Sequence, residues 1–404
     1  MLKIVNKIVC LTTLLSMFAL TSSCKISKVK NKPVWDKGNQ EFTLTPMPVN
    51  LDKAYMYAYG PYNELGGNIF GTIVCNFEKD YPGRNSHGGP VALQYSNGDL
   101  VAFYTNASGH SSDGWSEYSV SKDGGHTWSM YNKFAFSYNA YQTDRNKPEW
   151  VERGVVTAEG TIVLFISQLD NKGRGDDGRV GSGFMRSHDN GQTWSAYQPL
   201  DGDFVGYPVA TAVAGTANYV LYDSNAGPHV LYVSNDNGLT WNKRSTLTLD
   251  DEVWYGTMCI MKDGRMIAGG YKTNDEHHFY YCISSDNGIT WEPQKTSWLD
   301  KRIRNAKIAC LGGKYYLCGR SGEGGQYRWQ FVMYQSDDGE NWKPGVMVNN
   351  EPNHSDGYSD VCIIDKGVGP ELMVVYSIAY LLQNSNIVGL TNEYVFFVKP
   401  LNNE

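Results

Sequence analysis

Runs of basic residues are missing from this 404-residue chain beyond residue 32, and the formal net charge is -7. That argues against a nucleic-acid surface. Metal-ligand spacings of the Cys-x-x-Cys or His-Glu-x-x-His kind are absent too, so neither a metal centre nor another cofactor has support in the sequence. Helical periodicity is absent from every window, which removes bundles and α/β layers and leaves an all-β chain. Only one long apolar run exists, Ile8 to Leu20, too short to span a bilayer as a stable helix.

That run follows Lys3 and Lys7 and precedes Thr21-Ser22-Ser23-Cys24, the layout of an export signal over residues 1–23. Its end resembles a bacterial lipobox, with Leu20 near the cleavage point and Cys24 as the lipidated residue. The expected location is the outer membrane or cell surface, or the periplasm, with the membrane reached through the lipid alone. Residues 25–40, rich in Lys and Asn, read as a tether, and residues 41–404 as one domain. Export permits disulfides. Cys310 and Cys318 flank a turn and are expected to face each other, while Cys75, Cys259, Cys282 and Cys362 lie in apolar runs and read as free thiols.

Tyr and Trp are abundant, 28 and 11, more than a core requires, and such rings suit sugar stacking when exposed. Eleven Trp are not scattered at random. Five close a repeated pattern: Ser121-Lys-Asp123-Gly-Gly-His-Thr-Trp128, Ser187-His-Asp189-Asn-Gly-Gln-Thr-Trp194, Ser234-Asn-Asp236-Asn-Gly-Leu-Thr-Trp241, Ser284-Ser-Asp286-Asn-Gly-Ile-Thr-Trp291 and Gln335-Ser-Asp337-Asp-Gly-Glu-Asn-Trp342. The Asp-x-Gly core is turn chemistry, Asp bonding the backbone and Gly accepting positive φ, so these Asp are expected to be structural. An apolar hairpin precedes each copy, as in Val91 to Tyr95 with Leu100 to Tyr104. Two hairpins per unit of about fifty residues make four-stranded antiparallel blades. A sixth blade without the pattern is expected from Tyr358 to Asp365, Glu371 to Ala379 and Glu393 to Val398, closed by a strand from Gly71 to Asn76.

These repeats are Asp boxes, and over residues 40 to 400 the chain resembles the sialidase superfamily of six-bladed β-propellers. Sialidases hold a substrate carboxylate with three Arg, whose flat fork of donors matches two oxygens. They use an Asp as acid and attack with a Tyr activated by a Glu. Arg328 leads the strand into the fifth box as the third sialidase Arg does, and Tyr358-Ser359-Asp360 resembles the motif carrying the nucleophile. Elsewhere the pattern departs. His87-Gly88-Gly89-Pro90 replaces the Arg-Ile-Pro of blade one, Lys272 is the nearest cation to the second-Arg position, and Tyr255 stands near the place of the activating Glu, with Glu252 close by. Asp113 is the candidate acid, followed by Glu117.

His87 and His110 in blade one also resemble the paired His of propeller polysaccharide lyases of the ulvan lyase type, for which Tyr207 and Arg320 are positional candidates as partners. Strand starts and ends at one axial end further include Trp150 to Arg153 and Arg304. The resemblance implies a glycoside hydrolase releasing acidic sugars, sialic-acid-like or uronate, from glycans. The alternatives are a lyase acting by β-elimination on uronate-containing glycans, or a glycan-binding lipoprotein without catalysis. The expected partner is a glycan, bound by a monomer.

Overall fold

The computed structural model describes residues 45–47, 51, 54–58, 72–76, 89–107, 114–170, 178–200, 205–223, 227–322, 330–349, 358–379, 382–383, 386–387 and 391–400. They form a six-bladed β-propeller. Each blade is an antiparallel sheet whose strands follow one another from the axis outward. Blade 1 pairs Val91–Gln94, Leu100–Asn106, Trp115–Ser121 and Asn132–Lys133, and blade 2 pairs Glu149–Val156, Ile162–Leu169, Arg179–Ser187 and Gln198–Pro199. Blade 3 is Tyr207–Ala214, Ala217–Asp223, Val230–Ser234 and Asn242–Thr246, and blade 4 is Trp254–Ile260, Met266–Lys272, Asp275–Ser284 and Lys295–Trp298. Blade 5 is Arg304–Leu311, Lys314–Ser321, Gln330–Ser336 and Val346–Asn349.

Blade 6 joins both ends of the domain. Ser359–Asp365, Pro370–Ala379 and Thr391–Pro400 supply its inner strands. Its outer edge is shared by two earlier strands, Ala54–Ala58 pairing with residues 397–400 and Thr72–Asn76 with residues 392–395. The strand expected at Gly71 to Asn76 is thus present, but it covers only half of the edge. Each innermost strand touches the next, and that of blade 6 returns to that of blade 1, which closes the ring.

The hydrophobic core is divided into six, one cluster per seam between neighbouring blades. The second strand of blade 1 shows why. Leu100, Ala102 and Tyr104 face the seam with blade 6, while Val101 and Phe103 face that with blade 2. Side chains alternate across a strand, so one with both faces buried reads as a continuous apolar run. Fully burying each large side chain contributes about 1.5–3 kcal/mol.

The boxes lie on the turns between third and fourth strands. In the second box, Asp189 accepts from the Ser187 hydroxyl, the Thr193 amide and the Thr193 hydroxyl, and the Trp194 indole donates back to Gly191 O. Asn190 and Gly191 adopt φ of 56° and 79°. Boxes three and four repeat the Asp bonds and the Asn-Gly turn, although Trp291 in the fourth donates to Ser245 Oγ, and Gly124 replaces the Asn in the first. The fifth differs from its sequence alignment. Asp338, not Asp337, takes the carboxylate role, accepting from Ser336, Glu340 N and Asn341. The turn is one residue shorter, with Gly339 alone at positive φ, so alignment on Gly339 and Trp342 displaces the Asp by one. Asp337 instead pairs with Lys314 and Lys343.

Two other expectations are corrected. A helix, α1, spans Ala135–Thr143 between blades 1 and 2; its buried positions are Ser137 and Tyr141, and a Ser supplies no apolar signal at helical spacing. Cys310 and Cys318 do not face each other, because the hairpin register sets Cys310 opposite Tyr315 and Cys318 opposite Lys307. Both are free thiols, as are Cys259, Cys282 and Cys362.

Candidate functional site

At one axial end the innermost strands of blades 2, 3, 4 and 5 each carry a register break, at Val151/Arg153, Pro208/Ala210, Trp254/Thr257 and Arg304/Lys307. A bulge adds a residue to one strand and re-aims its side chains. Two of the four place a non-glycine residue in the left-handed region, Tyr255 at φ 48° and Asn305 at φ 52°. Such conformations cost on the order of 1–3 kcal/mol and persist where the surroundings over-determine them. Here Asp223 Oδ2 accepts the Tyr255 amide at 3.0 Å and fixes the turn.

Four tyrosines gather at this end, Tyr207 and Tyr255 on the innermost strands of blades 3 and 4, Tyr271 on the second strand of blade 4 and Tyr358 at the head of blade 6. Tyr207 and Tyr255 meet edge to face with centroids 5.8 Å apart, Tyr255 stacks on Tyr271 at 6.2 Å, and Tyr255 lies 6.3 Å from Tyr358. The neighbouring Tyr358 phenol, then burial, pushes the Tyr255 phenol well above its ordinary range. Arginines surround the rings. Arg320 lies 5.7 Å from the Tyr358 centroid, Arg304 5.5 Å from Tyr271, Arg179 4.4 Å and Arg153 5.7 Å from Tyr207.

Two buried carboxylates tie part of this charge. Glu152 accepts from Arg179 Nη2 at 2.6 Å and from the Ser167 hydroxyl. Glu276 pairs with Arg302 at 2.7 Å and Arg304 at 3.2 Å. Among the described residues four guanidiniums lie on the rings with Arg302 and Lys307 beside them, against Glu152, Glu276, Asp223 and Asp360, which leaves cations in excess. Beneath it, Val209 O accepts from Arg153 Nε at 2.8 Å and Lys307 Nζ at 2.5 Å, which locks the blade 3 bulge across the axis. Burial holds the Lys307 ammonium well below its ordinary range, with Arg153 adding to the effect and Asp360 opposing it. Asp360 Oδ2 in turn accepts the Ala92 amide at 3.0 Å, joining blade 6 to blade 1.

The structure therefore brings together Tyr207, Tyr255, Arg304, Arg320 and Tyr358. Lys272 is not with them. It follows Tyr271, so strand alternation turns it to the other face, where it bonds Asp250 at 2.6 Å and lies 3.6 Å from Glu252. Glu117 is buried in blade 1, accepting from the Trp115 indole and Asn106. His87, His110, Asp113, Arg328 and Cys24 lie outside the described residues. Gly89 itself lies against the site, since a Cβ there would be 3.3 Å from the Tyr207 hydroxyl and 3.5 Å from Arg153.

The sequence profile of the BNR repeat-like domain matches residues 132–368, more than half of the chain. The chain belongs to the BNR repeat-like domain family. No curated protein matches it in sequence. Among solved structures it is similar to a protein of unknown function from Dyadobacter fermentans, with 13% identity, 81% of this chain and 97% of that one covered, and a TM-score of 0.63. It is also similar to the NanB sialidase of Streptococcus pneumoniae (13% identity, 81% and 70% covered, TM-score 0.59). The intramolecular trans-sialidase of Ruminococcus gnavus is another (14%, 79% and 96%, 0.56). At such identities the likeness is one of fold.

In this BNR repeat-like propeller the sequence reading missed Arg179, Tyr271 and Glu276 as partners of the site, while Glu152 and Arg153 lie in the segment expected there. Arg179 begins a third strand and Glu276 lies near the start of another, whereas the reading followed only first and second strands. The parity of Tyr271 against Lys272 was the one available signal. A separate cavity of about 530 Å³ opens at the other end of the strands, between blades 6 and 1. Its Lys122, Lys366 and Lys399 are balanced by Asp99, Asp123, Asp365 and Glu371, which gives it no net demand for an anion.

Proposed function

We propose that this propeller is a glycosidase that takes an acidic sugar at the electropositive axial end, with Tyr358 as nucleophile. The observation that carries the reading is the cluster around Tyr358, with Arg320 5.7 Å from its ring, Tyr255 6.3 Å from it, and Arg304 5.5 Å from Tyr271, which stacks on Tyr255. The guanidiniums of the cluster favour negative charge on the Tyr358 oxygen, a role met by electrostatics in place of a carboxylate base. The same guanidiniums suit a sugar carboxylate, which fixes the ring relative to that oxygen. The Tyr358 phenolate, its proton given up to solvent, attacks the anomeric carbon and forms a C–O bond as the glycosidic C–O bond breaks, and the leaving oxygen takes a proton from Asp113. Water, giving its proton to the Asp113 carboxylate, then displaces the Tyr358 phenolate, which releases the sugar and restores both groups. The leader and Cys24 would hold this activity at the outer membrane, cell surface or periplasm.

Incubating the full chain with sialylated and uronate-rich glycans, and following reducing ends together with ultraviolet absorbance, tests the reading. New reducing ends without absorbance are expected, and Tyr358→Phe should lower the rate by at least about a thousandfold, as loss of a covalent nucleophile does. Absorbance from an unsaturated product would replace the reading with β-elimination. Binding without any product would replace it with a glycan-binding role.

A further inference from the structure

Trp298 ends the outermost strand of blade 4 and is 65% exposed, on a rigid β-strand rather than a loop. Its register partner is His278, so the two side chains share a face. Tyr280 shares that face, its ring 6.2 Å from His278. Farther along, Tyr280 and Cys282 pack into the seam with blade 3, while His278 and Trp298 extend past it. Asp275 accepts from the His278 ring at 2.9 Å and from the Tyr280 hydroxyl at 2.6 Å. Lys272 sits 4.8 Å over the Tyr280 ring, held by Asp250 and Glu252.

The strip is therefore aromatic, with three carboxylates to one lysine, the opposite balance to the axial site. It also adjoins that site. Tyr271 faces the axial rings and its neighbour Lys272 begins the strip on the second strand; Trp298 stands two strands farther outward at the same end of the blade, roughly 10 Å at the usual strand spacing. A polyanion is disfavoured there. An exposed indole with carboxylates and an imidazole at its border suits the apolar face and hydroxyls of an uncharged sugar.

We infer that the outer edge of blade 4 is a second carbohydrate subsite, in which Trp298 stacks an uncharged sugar residue bordered by His278 and Asp275. This rests on the reading of the axial end as a site for a glycan, and commits in addition to a chain reaching from that site over blade 4.

Affinity electrophoresis of the full chain through gels containing hydroxyethyl cellulose, xylan, galactan or mannan is the test, with polygalacturonate and sialylated mucin as acidic gels. Retardation is expected in at least one neutral gel, weakened about tenfold by Trp298→Ala, the loss expected for one aromatic contact, and unaffected by Arg320→Met. Retardation in no neutral gel, or retardation indifferent to Trp298→Ala, overturns the inference. So does a change in sedimentation on Trp298→Ala without a change in sugar binding, which would assign the face to a second copy of the chain. Acidic-gel retardation lost in Arg320→Met but kept in Trp298→Ala would sustain the axial reading even where the blade 4 subsite fails.

Discussion

Replacing Asp338 or its neighbour Asp337 by Ala separates two carboxylates that the sequence does not distinguish. Asp338 accepts hydrogen bonds from the Ser336 hydroxyl at 2.9 Å, Glu340 N at 2.9 Å, and the amide and side chain of Asn341 at 2.7 Å each. Partial burial works against its ionisation, yet these donors hold the carboxyl at about 2, below its ordinary 3.8. That fall corresponds to at most about 2.4 kcal/mol, and solvent screening of so exposed a group reduces it to about 1 kcal/mol. With the turn's loss of order, Asp338→Ala should cost about 1–2 kcal/mol, a drop of a few degrees in Tm. Asp337 is 58% exposed in its ion pairs with Lys314 and Lys343, so Asp337→Ala should cost only about 0–1 kcal/mol. Thermal melts at pH 7 read both. Because the folded carboxyl is the more acidic, its contribution is whole above pH 4 and is lost as pH falls from about 4 toward 2, so the Asp338→Ala deficit should vanish in acid. Equal deficits, or a larger one for Asp337→Ala, would refute the assignment.

Two further outcomes follow from burial and backbone. Lys366 is pushed down to about 8, chiefly by burial and against the pull of Glu371, so between about pH 8 and 10.5 the unfolded chain holds the proton more tightly. Stability should rise with pH across that window by up to about 3 kcal/mol relative to Lys366→Met, read by urea denaturation; parallel pH profiles would contradict it. Gly288 has φ 77° and a Cβ there would lie 2.4 Å from Leu231 Cδ2, whereas Gly264, at φ 87°, has nothing nearby. Gly288→Ala should therefore cost about 2–5 kcal/mol from strain and overpacking, against about 1–2 for Gly264→Ala, and a similar loss for both would show that the seam gives way.

The five boxed blades were legible because each is a local event: a hairpin, an Asp turn and a Trp within fifty residues. What escaped depends on position in the ring. The outer edge of blade 6 is set by pairing between Tyr57 and Phe397, and no local pattern carries that. The candidate site was half legible. Tyr207, Tyr255, Arg304, Arg320 and Tyr358 fall where strand ends point to the axis. The bulges at Tyr255 and Asn305 then break the alternation by which one reads inside from outside, so which neighbours face the rings had to be seen. Arg179 owes its place to Glu152, a partner 27 residues away.

The divided edge of blade 6 bears on how the chain reaches its final form. Ala54–Ala58 and Thr72–Asn76 emerge first, yet the strand they bond, Thr391–Pro400, is synthesised last. Until then their backbone groups have no clasp, and the other five blades stand as an open arc with one bare flank at each end. The last strand completes the two seams that blade 6 makes with blades 5 and 1, so a chain cut short before Thr391 leaves an open arc of blades with sticky edges.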